Sequence, residues 1–126
     1  MLGESKAHAT LPVIDLERAR RFYGETLGLE TEFETPSGIM FAAGGGTRLL
    51  AFPSMSPDRG GHTQAGWAVD DIAAEVATLR QRGVTFEEYD YPTLKTVDGI
   101  AEVPAGQAAW FKDTEGNLLG LVQLGD

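Results

Sequence analysis

HATLPVIDLERARRFY, residues 8–23, and QAGWAVDDIAAEVATL, residues 64–79, are the two stretches whose comparison decides the fold. Laid over one another 56 residues apart, they match at Leu11/Trp67, Val13/Val69, Asp15/Asp71 and Leu16/Ile72. Each opens with alternating apolar residues, Ala9-Leu11-Val13 and Ala65-Trp67-Val69, the period of a strand with one buried face. Each then meets an aspartate able to accept bonds from the free N–H groups of a first helical turn. Helical spacing follows, through Leu16, Ala19, Phe22, Tyr23 and Leu27 in the first half and Ile72, Val76 and Leu79 in the second. Gly28 and Gly83 stop the two helices.

Three strand-like stretches come after each helix. They are LETEFE, GIMFAA and TRLLAF in the first half, and VTFEEYD, QAAWFKD and LLGLVQL in the second. Gly44-Gly45-Gly46 and Glu115-Gly116-Asn117 supply matching turns, now 70 residues apart at Gly46 and Gly116. The second half therefore carries about fourteen extra residues, roughly YPTLKTVDGIAEVP. The pattern predicts an α+β chain of two βαβββ modules made by internal duplication. Module one spans about 6–54 and module two about 62–124, within a single domain covering 1–126.

Composition narrows the function. The formal net charge is −9 and no Lys/Arg cluster offsets it, so a nucleic acid partner is not expected. No apolar run approaches the roughly 20 residues that span a bilayer, and MLGESKAHAT lacks the basic start and apolar core of a signal peptide. No membrane partner and a cytoplasmic location follow as expectations. The absence of cysteine excludes disulfides, thiolate metal sites and a cysteine nucleophile. Glu30, Glu32 and Glu34, matched by Glu87, Glu88 and Asp90, read either as a solvated strand face or as an acidic rim for a cationic ligand.

The runs LPVIDLERARRFYGETLGLE, AGWAVDDIAAEVATLRQRGV and AAWFKDTEGNLLGLVQ, from His8 to Gln123 nearly the whole chain, resemble the vicinal oxygen chelate superfamily. That group includes glyoxalases, bleomycin-resistance proteins, extradiol dioxygenases and fosfomycin-resistance enzymes. The resemblance rests on D-L-E-R-A-x-x-F-Y-x-x-x-L-G-L with a late F-x-D-x-x-G-N, and it specifies no single activity. It implies two modules whose sheets curl around a shared cavity, usually in a homodimer. In the metal-dependent members, ligands come from the first and last strands of each module, positions held here by His8, Leu50, Gln64 and Gly120. Glutamate is common at the last-strand positions of those enzymes; Leu50 and Gly120 stand there instead.

Strand alternation gives the same face independently. If Leu11 and Val13 face the helix, His8, Thr10 and Pro12 face away. Arg48, Leu50 and Phe52 share that side, as do Gln64, Gly66 and Ala68, and Leu118, Gly120 and Val122, with Trp110 added from the preceding strand. The expected ligand-binding residues are therefore His8, Thr10, Arg48, Leu50, Phe52, Gln64, Trp110, Leu118, Gly120 and Val122, a mainly apolar wall with a few polar groups. Gly120 leaves room for a ligand beside bare backbone.

A divalent metal wants three or more N/O ligands, with carboxylates to neutralise its charge. His8 and Gln64 give one imidazole and one amide, and His62 adds either a third group or an ordinary loop histidine. A metal-free site is expected, the alternative being Ni, Zn, Mn or Fe at His8 and Gln64. His8 stands as a ligand-binding or acid–base group, a structural strand-start histidine, or a residual metal ligand. The expected partner is a small molecule, aromatic or cationic, such as an antibiotic that the protein sequesters. The alternative is a glyoxalase-like lyase or isomerase, or a dioxygenase relative. The extra segment, 91–104, reads as a loop in which Tyr89, Tyr91 and Leu94 close over a cavity mouth, or as an excursion packed on the sheet edge.

Overall fold

The computed structural model describes residues 1–54 and 62–125. They group into two compact units. One holds residues 1–54 together with Asp113–Asn117; the other holds 62–112 and 118–125.

In the first unit, β1 (His8–Val13) runs into α1 (Leu16–Arg20) through Asp15, which is extended and accepts the Arg18 N–H at 3.0 Å. The helix continues over Arg21–Thr26 as a wider turn, in which Leu27 N–H reaches the Phe22 carbonyl at 2.9 Å. Gly28, at φ 77°, ends it. β2 (Glu30–Thr35), β3 (Gly38–Ala42) and β4 (Arg48–Pro53) follow, and the sheet order is β1-β4-β3-β2 with only β1 and β4 parallel. Leu11, Val13, Ile39, Phe41 and Ala51 are fully buried, as are Ala19 and Tyr23 from the helical segment. The Tyr23 and Phe41 rings lie 5.5 Å apart. Burial of each large side chain in such a core contributes about 1.5–3 kcal/mol.

The second unit repeats the plan with additions. β5 (Ala65–Ala68) leads through Asp71, which accepts the Ala74 N–H at 3.1 Å, into α2 (Ile72–Gln81). Ile72, Val76 and Leu79 are buried at the spacing read from the sequence, and Gly83 ends the helix at φ 92°. Five strands follow: β6 (Asp90–Tyr91), β7 (Leu94–Val97), β8 (Ile100–Val103), β9 (Gly106–Lys112) and β10 (Leu118–Leu124). The order is β5-β10-β9-β8-β7-β6, with β5 and β10 parallel. Phe111 stacks on Trp67 at 6.4 Å and meets Phe86 at 5.4 Å, which centres the core beneath α2.

Two expectations are corrected here. VTFEEYD is not a full strand matching β2, since Phe86 makes a single bridge to Phe111 and pairing resumes only at Asp90–Tyr91. The strand beside β9 is β8, from the segment read as a loop. Asp98 and Gly99, both at positive φ (53° and 83°), fold that segment into the β7–β8 hairpin, and Arg80 pins the turn by donating to the Asp98 carbonyl at 3.0 Å.

Candidate functional site

Parallel pairing of β1 with β4 sets His8 beside Arg48, Thr10 beside Leu50 and Pro12 beside Phe52. These side chains share the face opposite buried Leu11 and Val13, and Met40 joins them across from Leu50. His8 and Thr10 are exposed, whereas Arg48, Leu50 and Phe52 are half-buried. The Arg48 Nε lies 3.0 Å from a Glu32 carboxylate oxygen, a partner the sequence did not suggest. That ion pair leaves Arg48 less available as an anchor for an anion and places a carboxylate at the edge of the same sheet.

On the second sheet, Gly120 pairs with Gly66 on one side and Trp110 on the other, and Val122 with Ala68 and Ala108. Leu118, Gly120, Val122 and Trp110 therefore share the face opposite buried Leu119, Leu121 and Phe111. Gln64 extends this pairing by donating its N–H to the Leu118 carbonyl at 2.9 Å. Trp110 and Val122 are half-buried, while Gly120 is buried. A Cβ on Gly120 would lie 3.2 Å from the Thr63 methyl and 3.6 Å from Trp110 Cδ1, so those side chains fill the space beside it. Tyr89 meets Trp110 edge-on at 5.5 Å and stacks on Tyr91 at 6.0 Å, forming an aromatic wall. Burial, then the Glu87 charge, raises the Tyr89 hydroxyl above its ordinary range, so the phenol stays protonated.

The family model described as the Glyoxalase/Bleomycin resistance protein/Dioxygenase superfamily matches residues 6–121. The chain belongs to this superfamily. Among solved structures it is similar to TnmS3, an antibiotic binding protein from Streptomyces sp. CB03234. The two are 27% identical over 99% of each chain, with a TM-score of 0.75. A glyoxalase/bleomycin resistance protein from the same organism is 29% identical over 94% of this chain and 100% of that one, with a TM-score of 0.69. The bleomycin-binding protein of Streptomyces verticillus, solved with copper(II)-bleomycin, shares the fold at 20% identity, a TM-score of 0.71 and full coverage of both chains. No curated protein matches the chain.

Superfamily membership raises the question of a metal, and the donor set answers it for the residues present. His8 is the sole imidazole among the four corresponding positions, Gln64 is a neutral amide, and Leu50 and Gly120 have no donor. A side chain at Gly120 would have to displace Thr63. Among the described residues no group of three His, Cys, Asp or Glu side chains could hold an ion. His62 is exposed ahead of β5. These residues do not fit the superfamily's metal centre.

The late superfamily motif proves to be a bonded cluster within the first unit. Asp113 Oδ1 accepts the N–H groups of Glu115 and Asn117 at 2.8 and 2.7 Å, and Oδ2 accepts Tyr23 O–H and Asn117 Nδ2 at 2.6 and 2.8 Å. Asn117 Nδ2 also donates to the Pro12 carbonyl at 2.9 Å. Glu115 takes the N–H groups of Ile14 and Asp15, both at 2.9 Å, and Arg18 Nε at 2.6 Å. Burial alone would raise the Glu115 carboxyl, but Arg18 and the backbone donors hold it at about 2. Burial, reinforced by the Asp113 charge, pushes the Tyr23 hydroxyl far up. The cluster ties the corner between β1 and α1, and its acids are committed to donors rather than to chemistry.

Proposed function

We propose that this protein is a small-molecule binding protein of the drug-sequestering type, working without a metal and taking an aromatic or cationic compound such as an antibiotic. The observation that carries the reading is its likeness to an antibiotic binding protein over 99% of both chains at 27% identity. The aromatic wall of Tyr89, Trp110 and Tyr91 suits a flat ligand, since offset and edge-on aromatic contacts add about 0.5–1.5 kcal/mol beyond their area. The proposed ligand-binding residues are Gln64, Trp110, Leu118, Gly120 and Val122 of the second sheet, and His8, Thr10, Arg48, Leu50 and Phe52 of the first. A homodimer and a cytoplasmic location form part of the same proposal.

Two measurements test it. Thermal unfolding against a panel of aromatic and cationic antibiotics should show at least one saturable rise in melting temperature, and none across the panel would refute sequestration. Elemental analysis of protein purified without chelators should find no stoichiometric Ni, Zn, Mn or Fe. Metal that is present, and is lost in His8→Ala, would favour the lyase or dioxygenase alternative.

A further inference from the structure

The second unit has a cavity of about 560 Å³ that shares Tyr91 with the aromatic wall of the proposed binding face. Its charged end lies on the other side of the sheet. Gln107 pairs with Gln123, whose side chain accepts the Ile72 N–H of α2 at 2.8 Å, so Gln107 is on the helix-covered side; Trp110, three residues on, is not. Val97 and Ile100 give that end an apolar wall, and Tyr91 and Leu94, one register step from the Asp90–Lys95 pair, line the cavity from the opposite facing. Tyr91 is 61% exposed and Val97 67%, large apolar groups left open to solvent.

Beside that wall runs a polar row. Glu102 pairs across strands with Gln107, whose Nε2 donates to its carboxylate at 3.1 Å. Thr96 pairs with Ala101, so Lys95 comes one step along opposite Glu102. Yet neither Lys95 nor Glu102 is in an ion pair among the described residues, nor is Asp90, which pairs with Lys95 from the other side. An ammonium and a carboxylate thus stand next to each other at one end of an apolar cleft, the carboxylate accepting Gln107. The pinned Asp98-Gly99 turn holds the two strands that carry them.

We infer that this cleft binds a zwitterionic α-amino acid with an apolar side chain: its ammonium on Glu102, its carboxylate on Lys95, and its side chain against Val97 and Ile100. A neutral zwitterion uses both charges and escapes the repulsion that a net charge of −9 imposes on a simple anion. A cation alone would leave Lys95 unanswered. For so small a ligand in an open cleft the expected affinity is millimolar.

The test is an NMR titration of the isotope-labelled full chain with L-phenylalanine, with phenethylamine (no carboxylate) and hydrocinnamate (no amine) as single-charge probes. Phenylalanine should shift the amides of Lys95, Ile100 and Glu102 saturably, and leave those of Gly66 and Gly120 still. Loss of a charge-assisted bond should weaken each single-charge probe about tenfold, and Glu102→Gln and Lys95→Met likewise. Both residues are exposed, so the variants should keep the parent melting temperature. Trp110→Ala should leave phenylalanine binding unchanged, which keeps the result separate from the antibiotic reading. No shifts in β7 and β8, shifts centred on Gly120, or equal binding of phenethylamine would each overturn the inference. So would a drop in sedimenting mass on Val97→Asp, which would make the cleft a contact between copies.

Discussion

At the scale of the single residue, Glu115 bears the most consequence. It is buried, accepts two backbone N–H groups and Arg18, and its carboxyl is held at about 2 against an ordinary 4.5. A carboxyl lowered by folding stabilises the folded state fully above its unfolded value, and that contribution disappears as pH falls through its folded value. The window therefore runs from about 4.5 down to about 2, and the contribution lost across it is about 3 kcal/mol. Denaturant melts in acid should show this slope in the parent protein. Glu115→Gln should lose about 2 kcal/mol at neutral pH, by removing the charge from its bonds, and should flatten the acid limb. A mutant whose acid limb matched the parent's would mean that other carboxylates carry the effect. The sequence showed that the Asp113–Asn117 stretch matters, but not why. A motif read along the chain cannot reveal that its acids bond to Ile14 and Arg18, about a hundred residues away.

At the scale of the element, the duplication extends into backbone geometry. β3 and β9 both begin on a glycine at unusual φ, Gly38 at 151° and Gly106 at 145°. A Cβ on Gly38 would stand 2.6 Å from the Ala51 carbonyl oxygen of β4, and one on Gly106 would stand 2.1 Å from the Gln123 carbonyl oxygen of β10. Equivalent glycines thus let equivalent strand pairs approach in both modules. Gly38→Ala and Gly106→Ala should each destabilise by about 3 kcal/mol, from strain and overlap with backbone that cannot rotate away. Gly3→Ala, with nothing within 4 Å, should be neutral. Chemical denaturation of the three variants measures this, and equal stability would dismiss the argument. Helices and caps were legible because Asp15 and Asp71 and the 3.6-residue spacing act locally. The β7–β8 hairpin was missed although its Asp98-Gly99 turn is a strong hairpin signal, because VTFEEYD, opening on Val84 and Phe86 at alternate positions, offered a longer strand-like run nearby. Which strand pairs with β9 is a non-local choice, and propensity does not decide it.

At the scale of the whole molecule, the charge of −9 and the two tryptophans make the proposed function measurable without labels. Trp67 stacks on Phe111 on the helix-covered face, while Trp110, also half-buried, stands on the opposite sheet face beside Tyr89. A flat ligand on that face should quench Trp110 and leave Trp67 emission largely alone. Trp67→Phe should therefore retain the ligand-induced quench, and Trp110→Phe should abolish it. Trp110→Ala should weaken binding about tenfold, the size of one lost aromatic contact. Salt then separates the two ligand chemistries. A cationic compound drawn by the acidic surface should bind less tightly as ionic strength rises from about 0.01 to 0.15 M, where the Debye length falls from about 30 to 8 Å. A neutral aromatic one should bind equally well at both. Quenching that survives in Trp110→Phe and vanishes in Trp67→Phe would move the ligand to the helix-covered face and reject the open face as the site.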